Sequence, residues 1–104
     1  MAGNLYADIP GALTREETID LLSAPDLRIE RIVSRGQATP PGEWLDQDWD
    51  EWVVLLEGTA ALRIAGEELR VLARGDWLHI AAHTRHRVEW TGRGATLWLA
   101  VHWR

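Results

Sequence analysis

Glu51 and His86 open two strand-like runs, and their side chains are of the types that hold a divalent metal. Glu51 begins EWVVLLEG, whose next five residues are apolar, and His86 begins HRVEW. Imidazole suits Fe, Ni, Cu or Zn, and a carboxylate widens the choice. His83 lies just before His86, and Asp46, Gln47, Asp48 and Asp50 crowd the segment before Glu51. Together these residues supply the oxygen and nitrogen donors of a metal site. They also admit a purely structural reading, in which Glu51 pairs with Arg85 or Arg87, His86 makes a structural hydrogen bond and the aspartates form a solvated loop. His79, inside WLHI, and His102 rank behind them as ligands. The chain has no cysteine, which excludes thiolate ligands, a cysteine nucleophile and disulfides.

Positioning these groups falls to short strands. Residues 1–12 read as an irregular arm broken at Pro10 and Gly11. Thr14 and Glu17 fit a capping box, which predicts a short helix from about Arg15 to Ser23, ended by Pro25. From Leu27 onward the pattern changes to LRIERIVSR, a polar Pro- and Gly-bearing stretch, and then EWVVLLEG, TAALRIAG, EELRVLARG, DWLHIA, HRVEWTG and ATLWLAVHW. Short segments with glycine-marked turns argue for an antiparallel sandwich or barrel. The expected organisation is one structural domain, with an arm and short helix over 1–26 and a barrel over 27–104.

Strand parity assigns faces. Glu51, Val53 and Leu55 share one face, with Trp52, Val54 and Leu56 on the other. His86, Val88 and Trp90 share a face. Leu97, Leu99, Val101 and Trp103 oppose Thr96, Trp98, Ala100 and His102. Several strands carry apolar groups on both faces, which a chain of 104 residues satisfies by a helix cover or a subunit contact.

The seven tryptophans stand out in a chain with one tyrosine and no phenylalanine. Trp44, Trp49, Trp90 and Trp77 are expected to flank an aromatic mouth that contacts a small molecule. Trp52 and Trp98 are assigned to an outer face or a dimer contact. The eleven basic residues are all arginine and are scattered among sixteen acidic ones, for a net charge of -5. That distribution argues against nucleic-acid binding. No apolar run is long enough to span a membrane and no secretory signal is visible, so a cytoplasmic protein is expected.

The pattern resembles the cupin family, small double-stranded jelly rolls. The run from Glu51 to Gly58 fits the second half of the family's first motif, a ligand Glu, six residues and Gly. Gly75, Ala81, His83 and His86 take the places of Gly, Pro, Gly and His in its second motif. The resemblance covers about Ile29 to Trp103 and implies a cupin-like antiparallel jelly-roll barrel, all-β apart from the short N-terminal helix. The two histidines usual before the Glu are replaced, by Trp44 and Asp46 or by Leu45 and Gln47. Of the usual three-His, one-Glu set, Glu51 and His86 remain at matched places. Asp46, Gln47 and His83 are the candidates to complete a mixed site for a divalent transition metal (Fe, Mn, Ni, Cu or Zn).

Three functional classes follow. One is a metal-dependent enzyme of unassigned reaction, with an unliganded Asp46 as a base. Another is a small-molecule binding or sensing module without metal. The third is a structural accessory protein. A homodimer is expected, on the two-faced strands and on the habit of cupin relatives.

Overall fold

The segment after Thr14 is a strand, not the expected helix. In the computed structural model, which describes residues 2–104, β1 (Glu17–Ala24) pairs antiparallel with β2 (Leu27–Ser34), from Glu17↔Val33 to Ala24↔Leu27. Pro25 and Asp26 are the two-residue connection of this hairpin. The proline that reads as a helix stop is a turn residue. So short a helix cannot hold itself together, whereas the ladder to β2 pairs one edge of the segment from Glu17 to Ala24, with an irregularity between Asp20 and Leu22. Among the described residues there is no helix.

The remaining strands are β3 (Asp50–Glu57), β4 (Ala60–Ile64), β5 (Arg70–Leu72), β6 (Trp77–Ile80), β7 (His86–Thr91) and β8 (Thr96–Trp103). They form a five-stranded sheet in the order β1-β2-β8-β3-β6 and a three-stranded sheet in the order β5-β4-β7. The architecture is thus an all-β antiparallel barrel. The N-terminal arm lies along β2 and the loop after it. Arg31 donates from Nη1 to Ala7 O (2.5 Å), Arg35 Nε to Pro10 O (2.6 Å) and Gln37 Nε2 to Leu13 O (3.1 Å).

Register decides which side chains face inward. In β3 the buried residues are Glu51, Val53 and Leu55. They pair with His102, Ala100 and Trp98 of β8, which are buried too. β2 continues the same face, with Arg28, Glu30 and Ile32 opposite His102, Ala100 and Trp98. Trp98 is therefore an interior residue, 4% exposed and packed with Val53, Leu55, Ala60, Leu62, Leu72, Leu78 and Ile80. This corrects its assignment to an outer or dimer face.

A bulge corrects a second face assignment. Leu62 pairs with Val88 but Ala61 pairs with Trp90, so Glu89 is an extra residue in β7. The bulge inverts the alternation. His86 stays buried, while Trp90 turns outward at 40% exposure and Thr91 turns in. Gly58 shows why the first motif ends in glycine. Its φ is +87°, and a Cβ there would lie 2.7 Å from the Ala95 carbonyl oxygen.

Candidate functional site

A cavity of about 180 Å³ lies between the two sheets at the end marked by Glu51. Its wall takes Ile32 from β2, Val53 from β3, Leu62 from β4, Ile80 from β6, Val88 from β7 and Trp98 from β8. Onto this apolar wall the strands project Glu30, Glu51, His86 and His102, with Glu16, Thr18, Leu45 and Gln47 beside them. Glu51 and His102 are opposite one another in the β3–β8 register, and Leu45 bridges to His86.

The two histidines are held differently. His86 Nδ1 lies 2.8 Å from Thr84 O. A carbonyl only accepts, so Nδ1 carries the hydrogen, and in the neutral ring Nε2 offers a free lone pair. That Nε2 lies 3.9 Å from Glu51 Oε1. His102 Nε2 lies 2.7 Å from Glu30 Oε1 and donates to it, while its Nδ1 is buried without a partner among the described residues. Glu51 Oε2 is 3.9 Å from His102 Nε2. Both imidazoles thus stand beyond hydrogen-bonding distance of Glu51, which is 8% exposed. Burial pushes the Glu51 carboxyl above the usual carboxylate range, opposed by the nearby His102 and His86. Burial likewise raises Glu16, against the hydrogen bond it accepts from Ser34 Oγ at 2.9 Å.

The other expected ligands lie elsewhere. Asp46 Oδ1 and His83 Nδ1 approach to 3.4 Å on the outside, both side chains more than half exposed. They line a recess with Arg28, Gln47, Asp48 and Trp49. His83 takes a φ of +61°, the left-handed conformation that suits the glycine it replaces in the second motif. Gln47 lines both the recess and the cavity. Leu45 also lines the cavity and Trp44 does not. The places of the two missing family histidines are therefore those of Leu45 and Gln47.

None of the four tryptophans expected at the mouth lines the cavity. Trp44 lies under the guanidinium of Arg85 at 5.2 Å, and Trp49 under that of Arg104 at 4.7 Å. Trp77 packs on Trp52 with ring centroids 6.0 Å apart, and Trp90 faces outward. Trp98 is the tryptophan of the cavity wall. Glu30 and His102 are functional candidates that a ligand-spacing reading passes over, because neither belongs to a motif. Their signal was parity: His102 shares a face with Trp98 and Ala100, and Glu30 with Ile32.

The arrangement was compared with known proteins. The cupin domain family matches residues 32–102. This chain is a cupin. A Ralstonia eutropha protein named as a candidate mannose-6-phosphate isomerase superposes with a TM-score of 0.97 at 48% identity, over 99% of this chain and 97% of that one. A cupin superfamily protein from Desulfitobacterium hafniense superposes at 0.75 with 18% identity, over 91% and 83% of the two chains. An RmlC-like cupin from Desulfovibrio desulfuricans superposes at 0.79 with 18% identity, over 99% and 95%. The last two show the fold alone. No curated protein matches the chain.

Cupins commonly bind metals, so the donor set was tested against one. A ligating histidine presents one nitrogen to the metal and donates its other N–H to a partner. His86 meets that requirement through Thr84. His102 donates Nε2–H to Glu30, so the nitrogen that lies 3.9 Å from Glu51 carries a hydrogen and offers no lone pair there, and its free Nδ1 is fully buried. Leu45 brings no donor. Of the four family ligand places, Glu51 and His86 keep a usual ligand and Gln47 brings only a neutral amide, whereas a catalytic zinc takes three protein ligands of the His, Cys or carboxylate kind. Among the described residues no group of three or more His, Asp or Glu side chains is set to hold an ion. The residues present do not fit the usual cupin centre.

Proposed function

We propose that this cupin binds a small organic molecule in the cavity between its sheets, using acid–base side chains where relatives place a metal. One observation carries the reading: the buried, apolar-walled cavity has Glu51 facing it without a hydrogen-bonding side chain, beside His86 Nε2. Such a carboxylate, pushed up by burial, is suited to move a proton at Oε1 or Oε2. His86 Nε2 supplies a second acceptor, and the Glu30–His102 hydrogen bond braces the wall beside it. The name of the Ralstonia relative suggests an isomerisation, in which a proton moves between adjacent carbons. The cavity's base-bearing wall is compatible with that class of step, and its lack of arginine argues against a phosphorylated sugar as its substrate.

The test is a thermal-shift series with neutral, cationic and anionic small molecules, run alongside elemental analysis and a series in Fe, Mn, Ni, Cu and Zn. Saturable stabilisation by an organic compound that Glu51→Gln removes supports the reading. Stoichiometric metal with a metal-linked rise in melting temperature would favour the metal centre instead. No described helix is long and apolar enough to cross a membrane.

A C2 homodimer is proposed as the assembly, through β1. This edge strand leaves Ile19, Leu21 and Leu22 exposed at 40%, 38% and 52%. Antiparallel self-pairing about its centre sets no carboxylate opposite another. Light scattering at micromolar concentration is expected to give twice 11.8 kDa; a concentration-independent monomer would overturn the dimer.

A further inference from the structure

The cavity wall is one-sided in charge. It carries three carboxylates, Glu16, Glu30 and Glu51, and among the described residues no arginine lines it. Both imidazoles are already engaged through one nitrogen, His86 with the Thr84 carbonyl and His102 with Glu30. Arg28 is the nearby cation, with Nε 3.5 Å from Glu30 Oε2, but its guanidinium extends to 5.8 Å from the centre of the Trp49 ring and lines the outer recess.

Glu51 is the second and independent pointer. Its side chain is nine-tenths buried, faces the cavity, and has its nearest basic side-chain atoms at 3.9 Å. A carboxylate so enclosed lacks the counter-charge that offsets its desolvation. Around these carboxylates the wall is apolar, and it includes the indole of Trp98. Carboxylate, aromatic face and aliphatic wall together suit an organic cation, which needs charge on one side and a π-face or alkyl contact on the other.

We infer that the cavity selects a small organic cation, a protonated amine or a quaternary ammonium, over neutral and anionic molecules of the same size. The inference rests on the small-molecule reading above and names the ligand class. A cavity of about 180 Å³ is below the roughly 300–1,000 Å³ of sites for drug-sized ligands, so the cation is compact. Glu51 supplies the countercharge, with Glu16 on the same cavity lining, and Trp98 with Ile32 and Val88 receives the alkyl groups.

The experiment is calorimetric titration of the whole chain in amine-free buffer with a chelator, using three probes. These are choline, its uncharged carbon isostere 3,3-dimethylbutan-1-ol, and mannose 6-phosphate. Choline is expected to bind about tenfold or more tighter than the isostere, the size of effect that one carboxylate at close range produces. Mannose 6-phosphate is expected not to bind. Glu51→Gln is expected to bring choline down to the level of the isostere. Glu16→Gln, which lies just before β1 and outside the strands, is expected to weaken choline alone and guards against a variant that fails to fold.

Equal affinity for choline and the isostere, or preference for mannose 6-phosphate, would overturn the cation selection while leaving small-molecule binding in place. No binding by any of the three would overturn both. Binding of Zn2+ without chelator, abolished by Glu51→Gln and with choline silent, would replace the organic cation with a metal.

Discussion

The two ends of the barrel interior are built by the same strands and differ in what they ask of their neighbours. At one end, Leu55 of β3, Trp98 of β8, Leu78 of β6 and Ala60 of β4 close on one another with apolar contacts. A few residues along the same strands, Glu51 stands opposite His102 and His86 faces them from the second sheet. Apolar packing is non-directional and is satisfied by filling space. Buried carboxylates and imidazoles need specific partners, and here Glu30 has one while Glu51 does not. The apolar end therefore stabilises the barrel, and the polar end spends part of that stability holding groups ready for a ligand.

Substitutions sharpen this contrast. Leu55 is fully buried at 0% exposure, and Leu55→Ala is expected to cost about 2–5 kcal/mol in denaturant unfolding. His102→Ala leaves the buried Glu30 without its 2.7 Å donor and is expected to cost about 1–3 kcal/mol. Replacing both Glu30 and His102 by Leu is expected to cost less than His102→Ala alone, because the buried Glu30 carboxylate is removed together with its donor. A double-mutant cycle measures this, and additive losses would mean that the pair is not coupled.

Glu51→Gln is expected to act in the opposite direction. The folded-state carboxyl is raised above 4.5 by burial, so the folded protein holds its proton more tightly than the unfolded chain. The contribution of Glu51 to stability is then full below pH 4.5 and is lost as pH rises through the folded value. The Gln variant is expected to be more stable than the parent at pH 8, with the difference vanishing below pH 4.5. Melting curves across that range check it, and a gain independent of pH would sink the assignment to ionisation.

The smallest change is on the outside. His83→Gly relieves a left-handed backbone at φ +61° but frees the unfolded chain, for a net gain of about 0.5–1 kcal/mol. A loss on that substitution would mean that the contact with Asp46 matters more than the turn.

Much of the inward face was legible. Alternation in EWVVLLEG placed Glu51 with Val53 and Leu55, and glycine at 58 marked a turn that a side chain would obstruct. Three things were not legible, each for a physical reason. A capping-box pattern at Thr14 and Glu17 states a local preference, and strand pairing with β2 overrode it. The bulge at Glu89 inverted the second half of β7, so parity carried to Trp90 pointed the wrong way. His102 carried no motif, and only the register of β3 against β8 shows that it meets Glu51.

By itself the sequence determined the family, the strand-rich fold, and the survival of Glu51 and His86 where two other metal ligands are missing. Those are properties of residue type and spacing along one chain. The tertiary structure decided which donors meet. It took Asp46 and His83 to the surface, brought in Glu30 and His102, and filled the two vacated ligand places with Leu45 and Gln47. Side chains far apart in sequence become neighbours only through sheet register, and a shift of one residue there turns each of them to the other face.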